Sequence, residues 1–189
     1  MQELVGNLFS PQTYHTPEGM NVVFRPDAIC ITTNGFVKKN GEAVMGRGCA
    51  REAAKLMPGL PEILGSHLNN PAVGNRVLAH GPWRKMCIVT FPVKPNHSYC
   101  ISDKSNVVKH MRDRFKAGDR VPGWACVADI ELIKESAIQL AALTHDSSWT
   151  HVVLPRPGCG AGELDWKDIK PILDKILDDR FYAITFPRR

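Results

Sequence analysis

Apolar and polar positions along the chain form short hydrophobic runs separated by longer amphipathic segments. Runs rich in β-branched and apolar residues, bounded by turn-forming residues, are typical of β-strands. On this pattern we predict strands over residues 4–9, 21–24, 28–33, 76–79, 86–92, 151–155 and 181–186.

The segments between these strands carry apolar residues at helical spacing. They predict helices over residues 48–57, 102–115, 129–144 and 165–178. Asp129 is a suitable N-cap for the third helix. Pro171 interrupts the pattern of the fourth helix, and proline is tolerated in the first turn of a helix. The alternative is therefore a helix that begins near Pro171, with residues 165–170 forming a separate short turn. Strands that alternate with amphipathic helices predict an α/β fold with a mixed sheet between helices.

A chain of 189 residues that is 43% hydrophobic fits one domain with a substantial core. We expect that domain to span residues 1–189, with loops over residues 69–74 and 116–123. The second loop belongs to an insertion around residues 116–128 rather than to a linker between domains.

The net charge of +5 is mild. Basic residues cluster at Arg112, Arg114, Lys116 and Arg120, and the chain closes on Arg188 and Arg189. Such a patch either contacts a polyanion such as nucleic acid or is a solvated surface, and charge alone leaves both interpretations open.

No apolar run approaches membrane-spanning length, and the first residues lack the basic and apolar pattern of a targeting signal. We therefore expect an untargeted cytoplasmic protein with no membrane partner. The cysteines show no CxxC spacing and the seven histidines are scattered, which predicts reduced core thiols, no metal site and no cofactor. The cysteines are Cys30, Cys49, Cys87, Cys100, Cys126 and Cys159.

Two glycine-rich segments each follow a predicted strand and run into a predicted helix. They cover residues 46–48 and 158–162. Glycine lets main-chain N–H groups approach a ligand closely, and a helix N-terminus adds free donors and partial positive charge. Neither segment matches GxxxxGK[ST] or GxGxxG with its acidic partner, so we predict a nucleotide diphosphate bound in another way, with plain tight turns as the alternative.

Several motifs resemble the macro domain family. They are VGNLF at residues 5–9, a strand ending at Asn34, GRGCA at 46–50, TFPVK at 90–94 and GCGAGELDW at 158–166. The last of these, with VMGRG and TFPVK, is most similar to the branch of DarG-type DNA ADP-ribosyl glycohydrolases and terminal ADP-ribose glycohydrolases. The resemblance implies a three-layer α/β/α fold around a central mixed sheet, and it implies ADP-ribose as the ligand.

The resemblance also implies a set of binding residues. Asn34 would hydrogen-bond the distal ribose, and both glycine-rich segments would hold the pyrophosphate through main-chain N–H groups. Asn7 matches a position where many relatives carry an aspartate that contacts the adenine amino group. The full ADP-ribose-binding set is Asn7, Asn34, Gly35, Gly46, Arg47, Gly48, Gly158, Cys159, Gly160, Ala161 and Gly162.

The catalytic residues implied are Lys94, Asn34 and Glu163. Lys94 matches the lysine that the glycohydrolase branch uses at the anomeric carbon, where a partly neutral amine can form a Schiff base. The alternative is a surface lysine at a strand end. Gly162 occupies the position where terminal ADP-ribose glycohydrolases carry an aspartate, so the neighbouring Glu163, or else Glu42 or Asp165, would have to act as general acid or base.

Four functions remain open at this point. The first is hydrolysis of an ADP-ribosyl linkage on a macromolecule, either DNA or protein. The second is an ADP-ribose 1″-phosphate phosphatase, in which His80 or His97 could act as acid or base. The third is a module that only binds ADP-ribose, and the fourth is an α/β protein whose glycine loops merely turn corners.

Overall fold

The computed structural model describes residues 1–186, so Arg188 and Arg189 lie outside the described residues. The strands are β1 (Gln2–Val5), β2 (Ala28–Asn34), β3 (Leu78–Trp83), β4 (Met86–Lys94), β5 (His97–Tyr99), β6 (Arg120–Pro122), β7 (Val152–Pro155) and β8 (Phe181–Thr185). The α-helices are α1 (Gly48–Leu56), α2 (Leu60–Asn69), α3 (Ile130–Asp146) and α4 (Trp166–Leu173). Three short 3-10 helices cover Pro11–Thr13, Lys109–Arg114 and Gly123–Ala125.

Six strands form the central sheet in the order β1-β8-β7-β2-β4-β3, and β5 pairs with β6 in a separate two-stranded sheet. Within the central sheet β3 is antiparallel to β4, and the other pairs are parallel. The middle strands β2 and β4 are almost continuously buried, as expected for parallel strands that are covered on both faces. The sheet is therefore mixed, as the sequence predicts.

Helices cover both faces of this sheet because successive side chains of a strand point to opposite sides. Ile29 and Ile31 of β2 belong to the apolar cluster that also holds the buried faces of α1 and α2. Cys30, between them, belongs to the cluster that holds the buried faces of α3 and α4. The predicted α/β fold with helices on either side of a central sheet is confirmed.

The sequence prediction is wrong at the first two strands. β1 ends at Val5, and Asn7 then turns the chain by accepting a 3.0 Å hydrogen bond from the Phe9 N–H. The predicted strand over residues 21–24 is reduced to one isolated bridge between His15 and Asn21. Apolar residues in both segments pack into the core from irregular backbone.

The predicted helix over residues 102–115 is also wrong, because only Lys109–Arg114 is helical and its geometry is 3-10. The Asp103 and Asn106 side chains accept hydrogen bonds from the backbone N–H groups of Ser105 and Ile101 and so favour turns. This region lies within a stretch, residues 95–128, that we call the accessory segment. It contains β5 and β6 and has its own small apolar cluster.

Prolines account for two further differences. Helix α2 was not predicted, although Pro61 occupies its first turn, where proline is tolerated. Helix α4 begins at Trp166 with Asp165 as its N-cap and contains Pro171, so a separate turn over residues 165–170 is not formed. Asp129 caps α3 as predicted, by accepting from the Glu131 and Leu132 N–H groups.

Residues 1–186 contain neither a membrane-spanning helix nor a cluster of metal ligands. No helix there has both the length and the apolar character needed to cross a bilayer. No group of three or more histidine, cysteine or acidic side chains is arranged to hold a metal ion within the same residues. The six cysteines are free thiols.

Candidate functional site

A cavity of about 1070 Å³ lies at the carboxyl ends of the parallel strands. Its wall includes Lys94 at the end of β4, Asn34 at the end of β2, and Phe186 just after β8. Because β4, β2, β7 and β8 are successive neighbours in the sheet, the cavity extends across four strands. It is an elongated cleft with Lys94 near one end and Phe186 near the other.

The first glycine-rich segment, Gly46 to Gly48, lines this cavity and leads into α1. Gly48 has a positive φ of 56°, a conformation that glycine adopts without strain. Arg47 at the N-cap makes no side-chain capping hydrogen bond. The first N–H groups of α1 therefore face the cavity with the positive end of the helix dipole, which favours an anion.

The second glycine-rich segment, residues 158–162, forms the opposite wall. Within residues 1–186 the N–H groups of Gly160 and Ala161 have no hydrogen-bond partner. A Cβ atom at Gly162 would lie 2.7 Å from the Cβ of Ala128. The two segments thus line one cavity, as the sequence predicts, and the second can only pack this closely with glycine at residue 162.

Lys94 is buried, with only 6% of its surface exposed. Its Nζ donates to the Ala161 carbonyl oxygen at 2.7 Å and to the Trp124 carbonyl oxygen at 3.4 Å. Burial lowers the pKa of Lys94 to about 8, with a smaller lowering from Arg47 and opposing effects from Cys126 and Glu163. Lys94 is therefore not a surface lysine, and a useful fraction of its amine is neutral near physiological pH.

Asn34 lines the cavity beside Lys94, but both ends of its amide are already hydrogen-bonded. Its Nδ2 donates to the Val44 carbonyl oxygen at 2.8 Å, and its Oδ1 accepts from the Phe36 N–H at 3.0 Å. Asn34 thereby holds the two ends of the turn that leads to the first glycine-rich segment. Any hydrogen bond to a sugar would have to be added to these two.

Gly35 and Asn7 do not line the cavity in the described part of the chain, although both were predicted to bind the ligand. The Gly35 N–H donates to the carbonyl oxygen of Lys94. The Asn7 Oδ1 accepts from the Phe9 N–H, and its neighbours Gly6 and Leu8 line the wall instead. The structure therefore does not bring Asn7 or Gly35 to the cavity with the other predicted residues.

Glu163 lines the cavity with a positive φ of 61°. Both of its carboxylate oxygens accept from the backbone N–H of Lys109, at 3.0 and 3.1 Å. The two other acidic candidates are placed differently. Asp165 lines the cavity and caps α4, whereas Glu42 pairs with Lys38 at 2.7 Å and lies outside the lining residues of 1–186.

The two predicted histidines do not line the cavity formed by residues 1–186. His80 is buried against His67, with ring centroids 5.7 Å apart. His97 lies 3.3 Å from an Arg120 nitrogen. His110 of the accessory segment lines the cavity instead, and periodicity could not reveal it because the segment does not form the predicted helix.

Other lining residues were also missed. Arg114 and Trp124 enter the wall from the accessory segment. The cluster of basic residues in the sequence was the only signal for Arg114, and nothing in the sequence pattern indicated Trp124. Arg156 and Trp166 also line the cavity, and Glu3 of β1 hydrogen-bonds to both without lining it in the described residues. The Glu3 Oε1 accepts from Arg156 Nη2 at 3.0 Å and from Trp166 Nε1 at 2.9 Å. No local pattern links residues so distant in sequence.

Comparisons with known proteins add the name of the fold. Neither protein-family models nor curated proteins give a match. Solved structures do: the macrodomain of Thermus aquaticus DarG has a TM-score of 0.62 and 19% identity, over 98% of this chain and 97% of that chain. The macrodomain of Mycobacterium tuberculosis DarG has a TM-score of 0.58 and 20% identity, over 87% and 90%.

The chain has a macrodomain fold. A third similar structure is Thermosipho africanus DarTG in complex with ADP-ribose, with a TM-score of 0.61 and 13% identity, over 87% of this chain and 39% of that one. At identities this low, the structural similarity establishes the fold alone. The activity of this macrodomain has to be argued from its own residues. Its cavity lies beyond the carboxyl ends of the strands, where open α/β sheets bind their ligands.

Proposed function

We propose that this macrodomain binds ADP-ribose in the cavity and hydrolyses an ADP-ribosyl linkage on a macromolecule, either DNA or protein. The observation that carries the proposal is the position of Lys94. It is buried at one end of the cleft, next to both glycine-rich segments, with its pKa lowered to about 8 by burial. Burying a charged amine is costly, so a buried lysine beside a ligand-sized cavity favours a functional role in addition to its hydrogen bonds.

The binding mode follows from the shape and the donors of the cleft. The first N–H groups of α1 and the free N–H groups of Gly160 and Ala161 suit a pyrophosphate held between the two segments. The distal ribose then extends toward Lys94 and Asn34, and the adenosine extends toward Phe186. The Thermosipho africanus DarTG structure is a complex with ADP-ribose, which supports this ligand.

In the proposed reaction the neutral Lys94 amine attacks C1″ of the distal ribose. The bond from C1″ to the acceptor breaks, and the acceptor leaves with a proton. The sugar ring opens to give a Schiff base, and water then hydrolyses it to regenerate lysine and free ADP-ribose. Lowering the pKa of Lys94 makes this attack feasible near neutral pH.

The test uses an ADP-ribosylated DNA oligonucleotide and an ADP-ribosylated protein as separate substrates. We expect the wild type to release ADP-ribose from at least one, and Lys94→Ala to release none. Cyanoborohydride added during turnover should trap an adduct of ADP-ribose on the wild type, located at Lys94 by mass spectrometry. Absence of release from both substrates would reject the hydrolase.

One observation favours a second candidate, a module that binds ADP-ribose without cleaving it. Gly162 supplies no acid, and the Glu163 carboxylate is already hydrogen-bonded to the Lys109 N–H. Calorimetry with ADP-ribose separates the candidates. Tight binding with no release from either substrate, and no phosphate release from ADP-ribose 1″-phosphate, would identify a binding module rather than either hydrolase.

A further inference from the structure

Ala161 and Gly162, at the end of the second glycine-rich segment, and Glu163, which follows them, each hydrogen-bond to another part of the chain. The Ala161 carbonyl oxygen accepts from Lys94, and the Gly162 carbonyl oxygen accepts from the Ala128 N–H at 2.9 Å. The Glu163 carboxylate accepts from the Lys109 N–H. Ala128 and Lys109 both belong to the accessory segment, so that segment contacts the second glycine-rich segment at Gly162 and again at Glu163, the residue that follows it.

Of the two contacts with the accessory segment, the one made by Glu163 depends on a side chain and the one made by Gly162 is between backbone groups. Lys109 is the first residue of the 3-10 helix Lys109–Arg114, so its N–H has no acceptor within the helix. A carboxylate is the strongest acceptor that a side chain can offer to such a group. The same helix places His110, Met111 and Arg114 in the wall of the cavity.

We propose that Glu163 is a positioning residue rather than a general acid or base. Its carboxylate accepts a hydrogen bond from the accessory segment directly after the second glycine-rich segment. It thereby fixes the positions of these two segments, which both line the cavity, relative to each other. This inference rests on the proposed function only in taking ADP-ribose as the ligand of those walls. Both oxygens of Glu163 lie within hydrogen-bond distance of one backbone N–H, so the carboxylate is held against the accessory segment.

The donor to Glu163 is the backbone N–H of Lys109, so substitutions at Lys109 can remove either the N–H or the side chain separately. Lys109→Pro removes the N–H itself, whereas Lys109→Ala removes the side chain and keeps the N–H. Proline suits this position, since it is tolerated at the start of a helix and Val108 has the extended conformation (φ −59°, ψ 140°) that precedes proline. Glu163→Ala removes the acceptor, and Glu163→Gln keeps one oxygen that can accept.

Calorimetry with ADP-ribose measures the effect on binding. We expect Glu163→Ala and Lys109→Pro each to raise the Kd about fivefold to tenfold, within the range for the net loss of one ordinary hydrogen bond. The double variant should be no weaker than either single variant. Glu163→Gln and Lys109→Ala should stay within about twofold of the wild type. Additive effects in the double variant would overturn the proposal.

Measurements of ADP-ribose release distinguish a positioning role of Glu163 from a role as general acid or base. We expect Glu163→Gln to keep kcat within about threefold and to leave the pH profile of kcat unchanged. A general acid or base would instead lose about 10²-fold to 10⁴-fold in kcat and one limb of that profile. That outcome, with Lys109→Pro behaving like the wild type, would assign catalysis to Glu163 and overturn the inference.

Amide hydrogen exchange tests the hydrogen bond of Glu163 without any ligand. We expect the Lys109 amide to exchange faster in Glu163→Ala than in the wild type, and Glu163→Gln to restore slow exchange. Equal exchange in all three proteins would overturn the inference. If the wild type binds no ADP-ribose but exchange responds in this way, the proposed function fails and the positioning role of Glu163 stands.

Discussion

The Lys94 Nζ donates a 2.7 Å hydrogen bond to the carbonyl oxygen of Ala161. Lys94, which we propose attacks C1″, therefore also contacts the second glycine-rich segment, which we propose binds the pyrophosphate. Because a trans peptide unit is planar, a carbonyl fixed toward Lys94 directs the N–H of Gly162 the opposite way. One lysine thus couples the conformation of the second glycine-rich segment, the proposed pyrophosphate site, to the end of the cleft where we propose that the reaction takes place.

The pH dependence of release is the first prediction from this arrangement. Only the neutral Lys94 amine can attack, and burial lowers its pKa to about 8. As the pH falls below that value the neutral fraction drops tenfold per unit, so kcat/KM should fall with it and reach a plateau above about pH 8. Measuring ADP-ribose release between about pH 6 and pH 9.5 checks this.

Lys94→Arg provides the matched control for this prediction. Arginine keeps a donor for the Ala161 carbonyl oxygen but stays protonated across the whole pH range. We expect it to bind ADP-ribose and to release none from either substrate. Release by Lys94→Arg at a rate near that of the wild type would show that residue 94 is not the nucleophile.

The part of the site that sequence could predict is the part carried by local pattern. Lys94 and Asn34 end strands that begin as apolar runs, and the glycines at 46, 48, 158, 160 and 162 mark both strand-to-helix connections. Strand ends and glycine turns are encoded within a few residues, so periodicity and turn chemistry can find them. Their convergence on one cavity then follows from the parallel sheet.

The rest depends on contacts between residues far apart in sequence. Glu3 meets Arg156 and Trp166 across more than 150 positions, and Glu163 meets the backbone of Lys109 across 54. The accessory segment shows helical spacing of apolar residues but folds around its own turns. Side chains in the accessory segment accept hydrogen bonds from backbone N–H groups and so favour turns over a helix. The spacing of apolar residues contains no information about this competition.

Glycine substitutions in the second glycine-rich segment should differ sharply in their effect on folding. A Cβ at Gly162 meets the Gly158 carbonyl oxygen and lies 2.7 Å from the Ala128 Cβ, whereas a Cβ at Gly160 has nothing within 4 Å. We expect Gly162→Ala to lower the free energy of unfolding by about 1–3 kcal/mol. Gly160→Ala should change it by less than about 0.5 kcal/mol. Urea denaturation measures both, and equal losses would contradict the packing described for Gly162.

Glu3 should affect ligand binding although it is not part of the proposed chemistry. Its Oε1 joins Arg156 and Trp166, and the Arg156 guanidinium lies 5.2 Å from the centroid of the Trp166 ring. Removing the acceptor in Glu3→Ala frees two side chains that line the cavity. We expect the Kd for ADP-ribose to rise about threefold to tenfold, with kcat unchanged at saturating substrate.

Glu3→Gln gives the comparison for that prediction. It keeps an oxygen that can accept from Trp166 or Arg156 but loses the charge, so its Kd should fall between those of the wild type and Glu3→Ala. Calorimetry on the three proteins measures the series. Binding by Glu3→Ala that equals binding by the wild type would show that Arg156 and Trp166 hold their positions without Glu3.

The stability of the protein should decrease in mild acid because of His80. Burial, with a smaller effect from His67, lowers the pKa of His80 to about 4. An unfolded histidine has a pKa of about 6.5, so between these values the unfolded chain binds more protons than the folded one. The free energy of unfolding should be constant above about pH 6.5 on this account and fall by up to about 3 kcal/mol as the pH approaches 4. His80→Leu should flatten this slope in urea denaturation, whereas His97→Leu, outside the buried pair, should keep it. An unchanged slope in His80→Leu would assign the acid sensitivity to other groups.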